Sequence, residues 1–422
     1  MGSFRICVCF SDTGGGHRSA AEAIEAGISE VVSRALPGEH VVINVENMAE
    51  QSHPINRAMV EFYNFLLRHC QPAMKYYAWL VEATRPNDSE LGYRLARKYA
   101  LEALTRMDPS VVVSVHPMTN HYLARAMREL GMAGRVKLIT VVTDPNSQLW
   151  SGWACPDADL IVAPNDLARD RLLSLGIRPE RIKTIGMPVH PRFLAPPEVD
   201  RRQFLAPLGL DPERLTVCIT AGWAGGGNMA RLYRALSGIR RSVQAVFVCG
   251  HNEELFESIE REATKSPVPT AVLPFHDSMA DLMAACDLLV TKAGGLTTFE
   301  AIARRLPMAI DLLTEPMPQE AGTADILIGY GLARPLRKPS DIVSIVEDLD
   351  GPPTKLPEPL PAAHSLDRVG AVYDIARLIL AQGNPAWEPL LASERSKRAF
   401  YGTEDQVPQR GRSQSWQASD SD

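Results

Sequence analysis

Two periods of apolar residues alternate along the first half of the chain. Ile6 to Phe10 is a short apolar run. Ala20, Ile24, Ile28, Val31 and Ala35 follow at helical spacing, and Val41 to Val45 is a second short run. A run of strand length, then a 3.6-residue period, then another strand predicts a βαβ unit. The same grammar returns at Val111 to Val115, Lys137 to Thr143 and Leu160 to Ala163. Strands that are apolar without alternation are buried on both faces, so the fold class is α/β, a doubly wound parallel sheet with helices on either side.

After Pro188 the pattern breaks. Pro191, Pro196, Pro197, Pro207 and Pro212 fall within one stretch, which reads as a linker rather than a packed element. A second α/β series follows, with strands near Thr216 to Thr220, Val243 to Cys249, Ala271 to Phe275, Leu288 to Thr291 and Met308 to Asp311. The expected organisation is a first Rossmann-like domain over 1–195 and a second over 196–365. A helical segment over 366–393 packs back on the first domain, and a polar tail over 394–422 is disordered. Two such domains face each other across a cleft, where ligands bind at the carboxyl ends of the strands.

The length of 422 residues agrees with two cores rather than one. A net charge of -6 gives no reason to expect nucleic acid. No apolar run reaches the roughly 18 residues of a membrane span, and Met1 to Arg5 leads into a strand rather than a signal peptide. A cytoplasmic protein is expected. The seven cysteines sit mostly in apolar runs and none has zinc-ligand spacing, so no metal site is expected.

Every glycine-rich loop falls at the end of a strand. The first is Ser11-Asp12-Thr13-Gly14-Gly15-Gly16 before the helix that opens with His17 and Arg18. Gly14, Gly15 and Gly16 leave the backbone bare and permit positive φ, and the amide groups of a helix start can face an anion. On the first turn, the helix dipole keeps His17 neutral and suited to act as a base. The plainer reading is a tight turn followed by a polar surface residue.

In the second half, Gly225, Gly226 and Gly227 follow a strand in the same manner. So do Lys292, Gly294 and Gly295 in Thr291-Lys292-Ala293-Gly294-Gly295. The latter loop is expected to hold phosphate, with Thr297 and Thr298 adding hydroxyl groups and Glu300 accepting from a ribose diol. Alternatively, Thr297 and Glu300 form a capping box. Phe275 and His276 end a strand where their backbone reads a base edge, or are simply a buried Phe and an exposed His.

Between Pro54 and Met107 the pattern turns helical and aromatic, with Phe62, Tyr63, Phe65, Tyr76, Tyr77 and Trp79. Eight basic residues there, from Arg57 to Arg106, outnumber five acidic ones. This segment either docks on an anionic membrane surface or packs a helical pair onto the first domain.

These residues carry a resemblance. The stretch Ser11 to Ile24, together with Val142-Thr143-Asp144, Gly186-Met187-Pro188-Val189, Thr291-Lys292-Ala293-Gly294 and Gln319-Glu320-Ala321-Gly322, is similar to the monogalactosyldiacylglycerol synthase family. It also resembles the related processive diacylglycerol glucosyltransferases and the peptidoglycan-precursor N-acetylglucosaminyltransferase. The resemblance runs from Ile6 to Gly331 and implies the glycosyltransferase-B (GT-B) fold. It implies an inverting enzyme that takes UDP-galactose or UDP-glucose as co-substrate, with no cofactor and no metal. It further implies a lipid acceptor such as diacylglycerol, met at the cytoplasmic face of a membrane.

By the same likeness His17 is the base toward the acceptor, Glu300 holds the ribose, and Gln319 and Glu320 face the sugar. Thr323 stands where the family usually shows Asn, and Asp144 to Trp150 lacks the His that relatives carry there. Asp157-Ala158-Asp159 leads into an apolar strand and reads as a strand start. Rival readings are a glycosyltransferase with a soluble acceptor, a UDP-N-acetylglucosamine epimerase and a non-catalytic UDP-sugar sensor.

Overall fold

The computed structural model describes residues 3–220, 222–349, 366, 368 and 370–393. Among them are two six-stranded sheets, parallel throughout. The first holds β1 (Phe4–Phe10), β2 (Val41–Asn47), β3 (Val111–Ser114), β4 (Lys137–Val141), β5 (Leu160–Ala163) and β6 (Ile182–Thr184). Its helices are α1 (Gly16–Ala35), α2 (Pro54–His69), α3 (Met74–Thr84), α4 (Glu90–Met107), α5 (Asn120–Glu129) and α6 (Asp166–Ser174).

The second sheet holds β7 (Leu215–Thr220), β8 (Val243–Val248), β9 (Thr270–Leu273), β10 (Leu288–Thr291), β11 (Met308–Asp311) and β12 (Ala333–Leu336). Its helices are α7 (Arg201–Leu205), α8 (Met229–Ala235), α9 (Glu253–Ala263), α10 (Met279–Ala285), α11 (Gly295–Ala303), α12 (Pro318–Gly329) and α13 (Asp341–Glu347). The chain continues through α14 (Ala371–Gly383) and α15 (Glu388–Ala392).

Strand order fixes where a ligand can sit. The first sheet runs β2-β1-β3-β4-β5-β6 and the second β12-β11-β10-β7-β8-β9. The chain therefore changes direction between β1 and β3, and again between β7 and β10. Such switch points open a crevice at the carboxyl ends of the strands. The loops after β1, β7 and β10 are the three glycine-rich loops.

Side chains of β1 show why an unbroken apolar run was needed. Ile6, Val8 and Phe10 point into a core shared with Ile24 and Ile28 of α1, whereas Cys7 and Cys9 point into another shared with Leu104 of α4. Successive residues face opposite sides of a strand, so both sets must be apolar when both faces are covered.

The stretch Pro191 to Pro212, expected to be a linker rather than a packed element, packs in part, with Pro191, Phe193 and Leu205 buried. It holds the short helices Pro191–Phe193, Arg201–Leu205 and Ala206–Leu208. Pro191 and Pro207 stand in the first turns, where a missing N–H costs nothing. Asp200 and Gln203 form a reciprocal capping box, and Arg201 grips the buried Asp287 at 2.7 Å.

Helix α14 lies against α1 of the first sheet. Gly27 makes room for Val372, Tyr373 Oη donates to Glu30 Oε2 at 3.1 Å, and Trp387 meets Phe4 edge-on at 4.8 Å. The tail expected to be disordered, 394–422, and the junction over 350–365 lie outside the described residues.

Candidate active site

The β1 loop turns through two left-handed glycines, Gly14 at φ 72° and Gly15 at φ 82°. Gly15 also lies directly beneath Trp223 of the facing half, where a Cβ would sit 2.5 Å from that of the tryptophan. Gly16 has nothing within 4 Å of such a position. Protein therefore fills the space over Gly15, and open cleft lies over Gly16. Arg18 pairs with Asp12, and Glu50 Oε1 accepts the Asp12 amide at 2.6 Å, which fixes the start of the loop.

His17 lines the cleft. Its Nδ1 donates to the Val115 carbonyl at 2.8 Å, leaving Nε2 as the nitrogen with the lone pair. Burial pulls the imidazole down to about 4, against the opposing pull of the Val115 carbonyl and Asp12. It is neutral at pH 7, as expected, but burial is the main cause where the sequence suggested the helix dipole. His116 stands edge-on to it at 4.3 Å. Met118 N donates to His116 Nδ1 at 3.1 Å, so His116 Nε2 carries the proton and donates to Thr13 Oγ1 at 2.8 Å. Beside them Asp144 accepts from Trp153 Nε1 at 2.6 Å, and burial raises its carboxyl.

The opposite wall is built by the second half. Phe275, Lys292, Gly294, Gly295, Thr297, Glu300, Gln319 and Glu320, each expected from sequence, line the same cleft of about 640 Å³. Helix α11 begins at Gly295, and Gly294 caps it without a side-chain bond. Thr297 and Glu300 therefore form no capping box and remain available to a ligand. Burial lifts Glu300 to about 7, with Arg192 opposing. Burial also raises Glu320, with Lys292 opposing.

Two assignments need correction. Thr298 is buried, and its hydroxyl donates back to the Gly294 carbonyl at 2.8 Å, so it serves its own helix. Gly225, Gly226 and Gly227 do not line the cleft. A Cβ on Gly225 would lie 2.5 Å from that of Asn252, one on Gly226 would lie 3.1 Å from Arg68 Cα, and one on Gly227 would lie 3.0 Å from Lys292 Cε. These glycines let protein segments approach one another. Gly222, Trp223 and Gly250 face the cleft in their place.

Residues not anticipated are His190 and Arg192, which reach the cleft from the proline-rich stretch, and His251, which stacks on Phe275 at 4.3 Å. Asp157 and Asp159 are held by Arg128 and Lys137. Among the described residues, no three His, Cys, Asp or Glu side chains gather as a metal site.

Residues 17–189 match the family model for monogalactosyldiacylglycerol (MGDG) synthase, and residues 227–311 match the glycosyltransferase family 28 C-terminal domain. The chain belongs to the monogalactosyldiacylglycerol synthase family. It is 30% identical over 362 residues to a probable monogalactosyldiacylglycerol synthase, chloroplastic, of Nicotiana tabacum, covering 82% of this chain and 65% of that protein. It is 30% identical over 363 residues to monogalactosyldiacylglycerol synthase 1, chloroplastic, of Arabidopsis thaliana, covering 83% and 66%. The chain thus spans about two thirds of the length of these relatives.

Among solved structures, MurG of Acinetobacter baumannii superposes with a TM-score of 0.52 at 13% identity, covering 89% of this chain and 99% of that one. A putative UDP-N-acetylglucosamine 2-epimerase of Listeria monocytogenes gives 0.53 at 14%, covering 96% and 98%. At such identities the likeness is one of fold, and the fold of this family member is GT-B: two facing Rossmann-like sheets with a cleft between.

Proposed function

We propose that this protein transfers a hexose from UDP-galactose or UDP-glucose, with inversion, to a hydroxyl of a lipid such as 1,2-diacylglycerol. The observation that carries the reading is the fixed tautomer of His17, whose lone-pair nitrogen belongs to a ring on the cleft wall, opposite the amino end of α11. The acceptor oxygen attacks the anomeric carbon while its proton passes to His17 Nε2. The bond from that carbon to the diphosphate oxygen breaks, and its electron pair leaves with UDP. Negative charge then grows in the cleft that Lys292 and the first amide groups of α11 both line, which favours departure. Arg192 adds a further cation, and Glu300 accepts from the ribose. Burial holds His17 near 4 before substrate arrives. The diphosphate, an anion, raises its basicity in the complex. No cofactor enters the chemistry.

The acceptor side is supported by α2 and α3. Phe62 is 54% exposed and Trp79 69%, and Ile55, Met59, Phe65, Tyr76 and Leu80 are exposed with them. An apolar surface of this kind on amphipathic helices, flanked by Arg57, Lys75 and Arg85, suits peripheral docking on an anionic bilayer at its cytoplasmic face. No helix of the described residues is long and apolar enough to cross a membrane. The family models support transfer over epimerisation or mere sensing of a UDP-sugar.

The test is to incubate the protein with labelled UDP-galactose or UDP-glucose and diacylglycerol vesicles, then separate the lipids. Labelled glycolipid is expected, and His17→Ala should reduce its formation by about 100-fold to 10,000-fold while UDP still binds. Transfer to a soluble hydroxyl alone, or wild-type turnover in the variant, would refute the reading.

A further inference from the structure

Asn146 belongs to the loop after β4, on the first sheet's side of the cleft, yet its side chain is buried against α12 of the other half at 1% exposure. Its Nδ2 donates to the Gln319 carbonyl at 2.8 Å and to Thr323 Oγ1 at 3.0 Å. Its Oδ1 accepts from Gln148 N at 2.8 Å. Thr323 Oγ1 donates in turn to the same Gln319 carbonyl at 2.9 Å. Gly322 is required beside it, because a Cβ there would lie 2.7 Å from Asn146 Oδ1.

We propose that Asn146 is a positioning residue that governs which hexose is accepted. Both of its amide protons bind the first turns of α12, which present Gln319 and Glu320 to the cleft. Its own loop carries Thr143, whose hydroxyl lies 3.3 Å from His17 Nδ1. One short segment therefore ties the wall bearing the two donor-side residues to the ring on the acceptor side. Galactose and glucose differ in the direction of one hydroxyl, and polar discrimination of that kind needs partners held to a fraction of an ångström. A buried amide with every polar atom engaged provides that rigidity, and it does so only when the two halves meet.

The inference rests on the transfer reading above. Its test compares kcat/KM for UDP-galactose and UDP-glucose in the wild type, Asn146→Leu, Thr323→Val and the double variant, with UDP affinity and Tm alongside. We expect the ratio for preferred over disfavoured donor to fall about tenfold in Asn146→Leu and less in Thr323→Val. The double variant should be no worse than Asn146→Leu, because both changes remove one network. UDP affinity should stay constant.

A merely structural role would lower Tm and slow both donors equally, leaving the ratio unchanged. That result, or a wild type that accepts both donors alike, would overturn the proposal. Thr323→Val deletes one hydroxyl and keeps the test open if Asn146→Leu does not fold. A wild type that transfers neither hexose would instead refute the reading beneath it.

Discussion

Asn64 Oδ1 accepts the backbone N–H of Gly14 at 3.2 Å, and Asn64 Nδ2 donates to the Asp12 carbonyl at 3.0 Å. The helix that exposes Phe62 and Phe65 to solvent thus clasps, from its inner side, the loop that leads into His17.

Asn64→Leu keeps the volume and removes both bonds. Loss of loop position alone is expected to lower kcat by up to about 100-fold. UDP affinity by calorimetry and recovery on vesicles should not change. Unchanged kcat would show that the loop supports itself.

Glu300 gives a pH signature. Its carboxyl titrates near 4.5 when free and is lifted to about 7 in the fold. Its neutral form therefore favours the folded state fully below the free value, and this stability is lost as pH rises through about 7. Glu300→Gln stays neutral, so the Tm of the variant minus that of the wild type should grow from pH 5 to pH 8. UDP should act oppositely. A ribose diol donating to the carboxylate favours its charged form, so wild-type affinity should rise through pH 7 while the variant's stays flat. Thermal scans with and without UDP read both effects.

Gly15→Ala combines a left-handed backbone, which costs an ordinary residue roughly 1–2 kcal/mol, with a collision against Trp223. The Tm loss should be large in Gly15→Ala and partly restored by Trp223→Gly in the same chain, which removes the colliding Cβ as well as the ring. If Trp223→Gly gives no relief, the two loops do not meet in solution.

Docking on a bilayer predicts that Phe62→Ser with Trp79→Ser lowers recovery on anionic vesicles while UDP affinity is kept. Recovery of the wild type should also fall as salt rises. Equal recovery on neutral and anionic vesicles would exclude the electrostatic part.

Strands buried on both faces were legible because nothing but an apolar run fits them. The edge strands β6 and β12 were not. β6 has three residues with Lys183 exposed. β12 carries Pro335, tolerated at an edge because no inner ladder needs its N–H. The glycines of the second half were legible as close approaches, but sequence does not say who approaches. At Gly225 to Gly227 it is Asn252, Arg68 and Lys292, not phosphate. His17 and Glu300 stood out through their loops. Arg192, His190 and His251 come from separate segments and join the cleft only through tertiary packing. Thr323 and the segment Asp144 to Trp150, noted separately as departures from the family pattern, turn out to be joined by one hydrogen bond, from Asn146 to Thr323.

Helix α14 covers α1 only after the whole second sheet has been made. At a typical rate of synthesis, ribosomes need on the order of ten seconds or more to travel from β6 to α14. During that interval the apolar face around Gly27 stands open. The first half of this protein must therefore wait for the second before its own core is closed.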